Sequence, residues 1–327
     1  MFLFLQRYKK IVSLQHLTQK TNRKALIVRR QHFCMKPSHY AYFFPLTFVI
    51  IWGFTFVWAE QILEVYSPIT MVFIRLCIAS LFLYFFVKTT KKLQKFEGKD
   101  FRLMILAAFA EPFLYQIGES HGILHSSGSF AAIMVALIPL VVPIAVWMVF
   151  GIRSSWTVIL GIIISFGGIL YMILGDNFEL VVDIRGILFL SLAILAAVVY
   201  VLCIQKLLAK YNPFTIVFYQ TFLSALMFLP LFVSTGWQEF RATPFDTSIY
   251  TTLVMLAILG SGVAFICFVE SIKRIGAVRT QLFTNLIPIV TVIVAYLLLD
   301  EILTWQKIIG ICIVILGLFI SQIELRK

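Results

Sequence analysis

Ten apolar stretches, each close to the length of a bilayer-spanning helix, take up most of this chain. They lie near residues 41–58, 69–87, 102–118, 129–150, 156–174, 186–204, 213–234, 250–269, 281–299 and 305–322 of 327. A helix of about 20 apolar residues crosses the roughly 30 Å hydrocarbon layer. Backbone groups in lipid must bond within their own segment, so runs of this length predict helices. The links are short and leave no stretch for a soluble domain of any size. Only 13% of residues are charged and the mean hydropathy is +0.97, whereas a soluble domain carries roughly 25% charged residues. The expectation is an all-α integral membrane protein with ten transmembrane helices.

The net charge of +12 raises the idea of a nucleic-acid partner, which the distribution of the charge argues against. With the N-terminus in the cytoplasm, 23 of the 27 Lys and Arg fall in cytoplasmic tails and links and two in outer links. The other two, Arg75 and Lys307, lie within helices. Basic residues concentrate on the cytoplasmic side of membrane proteins. The pattern predicts an even number of spans, cytoplasmic N- and C-termini and a multi-pass plasma (inner) membrane protein. Residues 1–39 read as a basic cytoplasmic tail. Its apolar start, Met1–Leu5, is too short for a cleavable signal and precedes the basic residues. Met35 is an alternative start, and a basic segment lying on anionic lipid is the rival reading. A dispensable tail is preferred, because no clean helical apolar face persists there. The five cysteines (34, 77, 203, 267, 312) show no paired spacing, so neither a disulfide nor a metal site is expected.

One pattern occurs twice, 149 residues apart. Leu137-Ile138-Pro139, Trp156, Gly161 and Gly168 match Leu286-Ile287-Pro288, Trp305, Gly310 and Gly317. Further forward, Pro68 and Arg75 match Pro213 and Gln220 at an offset of 145. Each half then holds five helices, at 40–174 and 184–322. An odd number turns the second half over relative to the first, which is inverted-repeat architecture and points to a carrier. Pro68 and Pro213 open helices, where the missing N–H is tolerated. Pro139 and Pro288 sit well inside theirs, where a proline removes a backbone bond and kinks the helix. Matched helix breaks in two halves point to a substrate site. Gly161, Gly167, Gly168, Gly310 and Gly317 are expected to allow close helix packing.

Trp52-Gly53-x-x-Phe56 resembles the opening of EamA-type transporters of the drug/metabolite transporter superfamily. The Pro68-to-Arg75 spacing, the Pro139 and Pro288 helices, and Asp300-Glu301 before Trp305 and Gly310 also fit. The resemblance covers about residues 40–322. It implies a ten-helix inverted-repeat carrier of small polar metabolites, often amino acids or related compounds, usually moved outward. The first half departs from the pattern with Gly151-Ile152 where the second has Asp300-Glu301, and the acidic third helix is unusual for the family.

That third helix carries Glu111, Tyr115 and Glu119, spaced by four and so on one face of a regular helix. Membrane-embedded carboxylates are expensive and face a cavity or a partner. Counting from the helix ends at 1.5 Å per residue puts Glu111 and Arg75 at similar depth. They are expected to pair or to share a cavity, with a purely structural ion pair as the alternative. Glu119, farther from Arg75 on this count, is the better candidate if transport is coupled to protons. Asn285, three residues before Pro288, is the neutral polar group best placed to face a ligand. Gln220, Gln281 and Thr284 read as interhelical hydrogen-bonding groups, and Trp52 and Tyr200 as aromatic walls. Glu270 reads as a solvated helix end. His121 and His125 beside Glu119 have metal-ligand spacing, but Gly122 and Ser126-Ser127-Gly128 favour a turn.

The expected substrate-binding set is Glu111, Tyr115, Glu119, Arg75, Asn285, Trp52 and Gln220, with Pro139 and Pro288 as helix breaks. The expected partners are a small-molecule substrate and the lipid bilayer, with no nucleic acid. No cofactor, metal or catalytic residue is expected, and the chain would act as a monomer or homodimer. Two rival classes stand beside the carrier: an intramembrane enzyme acting on lipid, with Glu119 and His121 as acid and base, and a membrane receptor or scaffold.

Overall fold

The structure is a computed structural model and describes residues 42–142, 156–173, 182–275, 277–299 and 304–321. The basic tail, Gly151-Ile152 and Asp300-Glu301 lie outside the described residues. Among the described residues every regular element is helical. In the first half, α1 spans Phe43–Leu63 and α2 spans Pro68–Thr89. α3 (Gly98–Ala108) passes through a wide π turn, Phe109–Leu114, into α4 (Tyr115–Leu124). α5 (Gly128–Val135) and α6 (Trp156–Ile173) follow. In the second half, α7 spans Ile184–Leu207. α8 (Pro213–Leu231) continues through Phe232–Gly236 into the short α9 (Trp237–Ala242). α10 (Thr247–Met255) and α11 (Phe265–Ile275) flank a second long π segment, Leu256–Ala264. α12 (Ala277–Thr284), α13 (Ile287–Leu298) and α14 (Trp305–Ser321) complete the chain.

Among the described residues, five helices are long and apolar enough to cross a membrane: Phe43–Leu63, Pro68–Thr89, Ile184–Leu207, Pro213–Ala242 and Thr247–Ile275. Gly128–Val142, Ile159–Gly168, Ile287–Leu298 and Ile308–Gly317 are apolar but shorter. Two of these flank the positions that the sequence marks as breaks. The helical run after Gly128 is interrupted by a turn at 136–137, and the run after Ala277 by a turn at 285–286. The two interruptions are 149 residues apart, the repeat offset. Each lies two to three residues before its proline, where the lost backbone bond and the ring's bulk disfavour a continuous helix.

The packing of one half echoes that of the other. α1 packs on the Leu256–Ala264 segment and α11, while α7 packs on the Phe109–Leu114 segment and α4. α13 lies against α1 and α5 against α7. α2 pairs with α8, and α6 with α14. The last pair shows the exchange at atomic level. A Cβ on Gly168 would sit 2.9 Å from the carbonyl oxygen of Gly310, and one on Gly317 would sit 2.7 Å from that of Gly161. Shifting either contact by 149 gives the other. As one helix advances from 161 to 168 its partner runs back from 317 to 310, so the two are antiparallel. Ser165 Oγ donates to the Val314 carbonyl at 3.1 Å across the same seam. Gly167 does not share it: nothing lies within 4 Å of a Cβ there, so the close helix packing expected of it is not seen.

The α2/α8 pair is tied at both ends, again reciprocally. At the start of α2, the Ser67 N–H donates to Glu239 Oε1 at 2.7 Å and Ser67 Oγ donates to Oε2 at 2.6 Å. The Thr70 hydroxyl donates to the same carboxylate. An acid at a helix N-terminus also meets the positive end of the helix dipole. At the start of α8, the Asn212 N–H donates to Gln94 Oε1 at 2.7 Å, and the Gln94 N–H donates to Thr215 Oγ1 at 3.0 Å. Asn212 Nδ2 and Thr215 Oγ1 both donate to the Lys92 carbonyl. Ser67-Pro68-x-Thr70 and Asn212-Pro213-x-Thr215 are thus one motif, each copy held by the other half. Nearby, Lys210 donates to Asp100 at 2.8 Å, and this bond holds the Asp100 carboxyl below the usual carboxylate range. A depressed carboxyl stabilises the fold at neutral pH and loses that effect only as acid protonates it.

The glycine contacts yield a paired test. Gly168→Ala should destabilise the protein by about 1–3 kcal/mol, since a methyl group is forced against backbone. Gly167→Ala, one residue along, should leave stability unchanged or raise it, since Ala is the better helix former. Melting temperatures of the two variants in one detergent decide it.

Candidate functional site

Five of the seven expected substrate-binding residues gather around one cavity. Its lining includes Trp52, Arg75, Glu111, Tyr115 and Glu119, with Gln116, Gln281 and Thr284 as further polar groups. Thr55, Phe56, Phe265 and Phe268 add to the walls. The cavity volume is about 50 Å³, room for a few waters at the roughly 10–15 Å³ that each requires. Both halves contribute, and α5 and α12 reach it beside their interruptions.

Helix breaks set the geometry of the acidic element. Glu111 has extended dihedrals (φ −146°, ψ 124°) immediately before Pro112. A residue preceding proline is pushed out of the helical region, so the chain kinks there. α4 then runs on to Leu124, six residues past the end expected from hydropathy. That extension changes the ion pairing. Arg75 lies seven residues into α2, about 10 Å from its start, and Glu119 lies five residues before the end of α4, about 7.5 Å. These two therefore meet. Arg75 Nη1 is 4.0 Å from Glu119 Oε2, so the direct pair expected with Glu111 forms with Glu119 instead. Glu111 and Arg75 do share the cavity.

The guanidinium is held from three directions. Nε donates to Ser261 Oγ at 2.6 Å and Nη1 donates to Gln116 Oε1 at 2.9 Å. Glu119 in turn accepts from Tyr115 Oη at 2.9 Å. A buried charge is tolerable only when paired and hydrogen-bonded, and Arg75, 3% exposed, meets both conditions. Ser261 sits in the wide-turned Leu256–Ala264 segment of the second half. The preceding carbonyl, Gly260 O, accepts from Trp52 Nε1 at 3.3 Å. A Cβ on Gly260 would lie 2.6 Å from Thr55 Cγ2, so only glycine permits this approach. Trp52 is also packed edge-on against Phe265, with centroids 5.2 Å apart.

Two expected residues lie elsewhere. Gln220 is buried and accepts from Tyr200 Oη at 2.9 Å, away from the cavity lining. Asn285 is buried in the turn before α13, and among the described residues its Oδ1 has no hydrogen-bond partner. The polar groups from that region that line the cavity are Gln281 and Thr284. Gln116, Ser261, Gln281 and Thr284 thus complete the site. The i+1 position of Gln116 beside Tyr115 gave no periodic signal, and Ser261 is drawn in by a π segment that hydropathy does not mark. Glu270, expected at a solvated end, is buried and held by Arg274 at 2.7 Å. His121 bonds the Ile117 carbonyl at 3.0 Å and stacks on Phe189, while Glu119 turns to Tyr115 and Arg75. The Glu119–His121 acid–base dyad is not assembled.

Arg75→Gln should cost about 3–5 kcal/mol by leaving Glu119 buried without its counter-charge. Arg75→Gln with Glu119→Gln should cost clearly less than the two single changes added together, because the pair acts as a unit. A double-mutant cycle of melting curves reads this directly.

The EamA-like transporter family model matches residues 39–174 and again residues 184–322. An "uncharacterized transporter" of Archaeoglobus fulgidus is 24% identical over 272 residues, covering 83% of this chain and 95% of the relative. The Bacillus subtilis "uncharacterized transporter YcxC" is 23% identical over 302 residues, covering 88% and 94%. A solved crystal structure superposes with a TM-score of 0.64 at 13% identity, over 86% of this chain and 96% of that one, a likeness of fold alone. With the family model matched over most of its length and apolar helices throughout, this chain is a multi-pass membrane protein that belongs to the EamA-like transporter family.

Proposed function

We propose that the chain is a carrier that moves a small polar metabolite, an amino acid or related compound, by alternating access. The observation that carries this reading is a charged cavity lined by both halves at the level of their matched helix interruptions. Two related halves can rock about such a site, exposing it to one face at a time. The halves are 40–174 and 184–322, inverted relative to each other, and the exchanged contacts of α6 with α14 and of α2 with α8 support that relation. Within the cavity, Glu111, Glu119, Tyr115, Arg75 and Trp52 would contact or orient the substrate, with Gln281 and Thr284 replacing Asn285 and Gln220. The breaks before Pro139 and Pro288 would let α5 and α13 bend as the cavity opens. Outward movement rests on the family resemblance. Proton coupling would use one of the two glutamates. The chemistry is translocation, with no bond made or broken.

Purified protein in liposomes, loaded with an amino-acid mixture, should release selected compounds faster than protein-free liposomes. Pro288→Ala should slow that release several-fold while leaving the melting temperature within a few degrees. Reporters fused to the two chain ends should both read the cytoplasmic side. Ends on opposite faces, or release that matches empty liposomes for every compound, would remove the reading.

A further inference from the structure

Glu111 differs from every other charged group in the cavity. It is 7% exposed and lines the cavity, yet among the described residues no group donates a hydrogen bond to it. Glu119 has both a tyrosine hydroxyl and a guanidinium. Arg75 is committed to Ser261, Gln116 and Glu119. Among the described residues Arg75 is the single cation lining the site, and its hydrogen bonds and close pairing go to Ser261, Gln116 and Glu119, so Glu111 feels its charge but receives no donor from it. A carboxylate withdrawn from water with no donor is costly, and a ligand that brings a positive charge and N–H donors removes that cost.

The walls fit the same ligand. Trp52, Phe56, Phe265 and Phe268 line the cavity, and aromatic faces attract a cation within about 6 Å. The polar groups from the second half, Gln281 and Thr284, are neutral. At the repeat offset of 149, Gly260 stands where the first half has Glu111, so the second half supplies no matching charge. A substrate carboxylate would have to take Arg75 from its three partners.

We infer that the cavity selects a compact organic cation, an amine carried on a small apolar body, with Glu111 as its receptor and Arg75 as an internal counter-ion rather than a carboxylate receptor. This deepens the carrier reading and rests on it for the substrate's passage across the membrane, but not for binding. Four compounds with one branched body separate the choices: isobutylamine (cation), isobutyrate (anion), isobutanol (neutral) and valine (zwitterion). Binding to purified protein is read by quenching of tryptophan fluorescence. Isobutylamine should bind at least tenfold more tightly than the other three. Glu111→Gln should weaken it at least tenfold, and Glu111→Asp, which keeps the charge, should weaken it less. Should Glu111→Gln not fold, the wild-type ranking still decides. Tighter binding of valine or isobutyrate, dependent on Arg75, overturns the inference, and so does equal binding of isobutanol or no binding of isobutylamine. Flux in liposomes separates the two readings. Amine binding lost in Glu111→Gln, without any flux, upholds the inference and ends the carrier reading. Flux of an anion or zwitterion that Glu111→Gln leaves intact does the reverse.

Discussion

The burial of Arg75 governs how the centre of this bundle is built. A guanidinium removed from water must recover its lost hydration from fixed groups, and each of those groups must come from somewhere in the fold. Gln116 and Glu119 come from α4, about one and two turns of helix past a proline kink. Ser261 comes from the opposite half, through a segment wound wider than an α-helix. The side chain therefore joins α2, α4 and the helix between α10 and α11. The planar fork of arginine can serve three partners in different directions, whereas the compact ammonium of lysine presents no such fixed geometry. Any rearrangement that separates the halves at this level has to exchange the Ser261 bond for another.

From that constraint follows the division of labour between the halves. The two halves bring different residues to the cavity. The first half has Arg75, Glu111, Tyr115 and Glu119, while the second contributes Gly260, Ser261, Phe265, Phe268, Gln281 and Thr284. Glycine at 260 lets the backbone approach Thr55 and places its carbonyl within reach of Trp52. Their framework is more alike. The glycine seam of α6 and α14 uses the same offset in both directions, and the ties at Ser67 and Asn212 use the same motif. Packing demands are equal in the two halves and preserve the repeat. A single asymmetric substrate at the centre, as proposed, would place no such demand.

Much of this was legible in the chain itself. Apolar length marked the all-helical character, and Pro139 and Pro288 stand just past the two interruptions at 136–137 and 285–286. Five residues of the cavity lining were readable because charge and aromatic bulk inside an apolar run are costly enough to signal themselves. Two of the misplacements, at Glu119 and Asn285, share one cause, the phase and end of a helix. Glu119 was set too shallow because hydropathy falls at Gly118-Glu119-Ser120, although α4 continues to Leu124. Asn285 was favoured over Gln281 and Thr284 because the turn at 285–286 resets the helical phase, and residue spacing cannot cross it. Gln220 occupies the repeat position of Arg75, but it accepts a hydrogen bond from Tyr200 Oη and does not reach the cavity. Ser261 carried no signal, since an isolated serine in an apolar helix most often satisfies itself on its own backbone.

The two reciprocal ties bear on how such a bundle can move. Both ends of the α2/α8 seam are fastened in the same structure, one by the Glu239 carboxylate and the other by Gln94 and Lys92 O. A rocking motion that parted this seam at one face would leave the Ser67 N–H and two hydroxyls, or the Asn212 N–H and amide, to find water instead. Those groups lie near the membrane faces, where water can replace the lost bonds at a net cost of only about 0.5–1.5 kcal/mol each. The glycine seam of α6 and α14 has no such substitute, because it holds chiefly by close packing, with the Ser165–Val314 hydrogen bond across it, in apolar surroundings. A motion that conserves free energy would therefore keep the α6/α14 seam closed throughout and, where it opens a seam at all, open the hydrogen-bonded end of α2/α8 facing water.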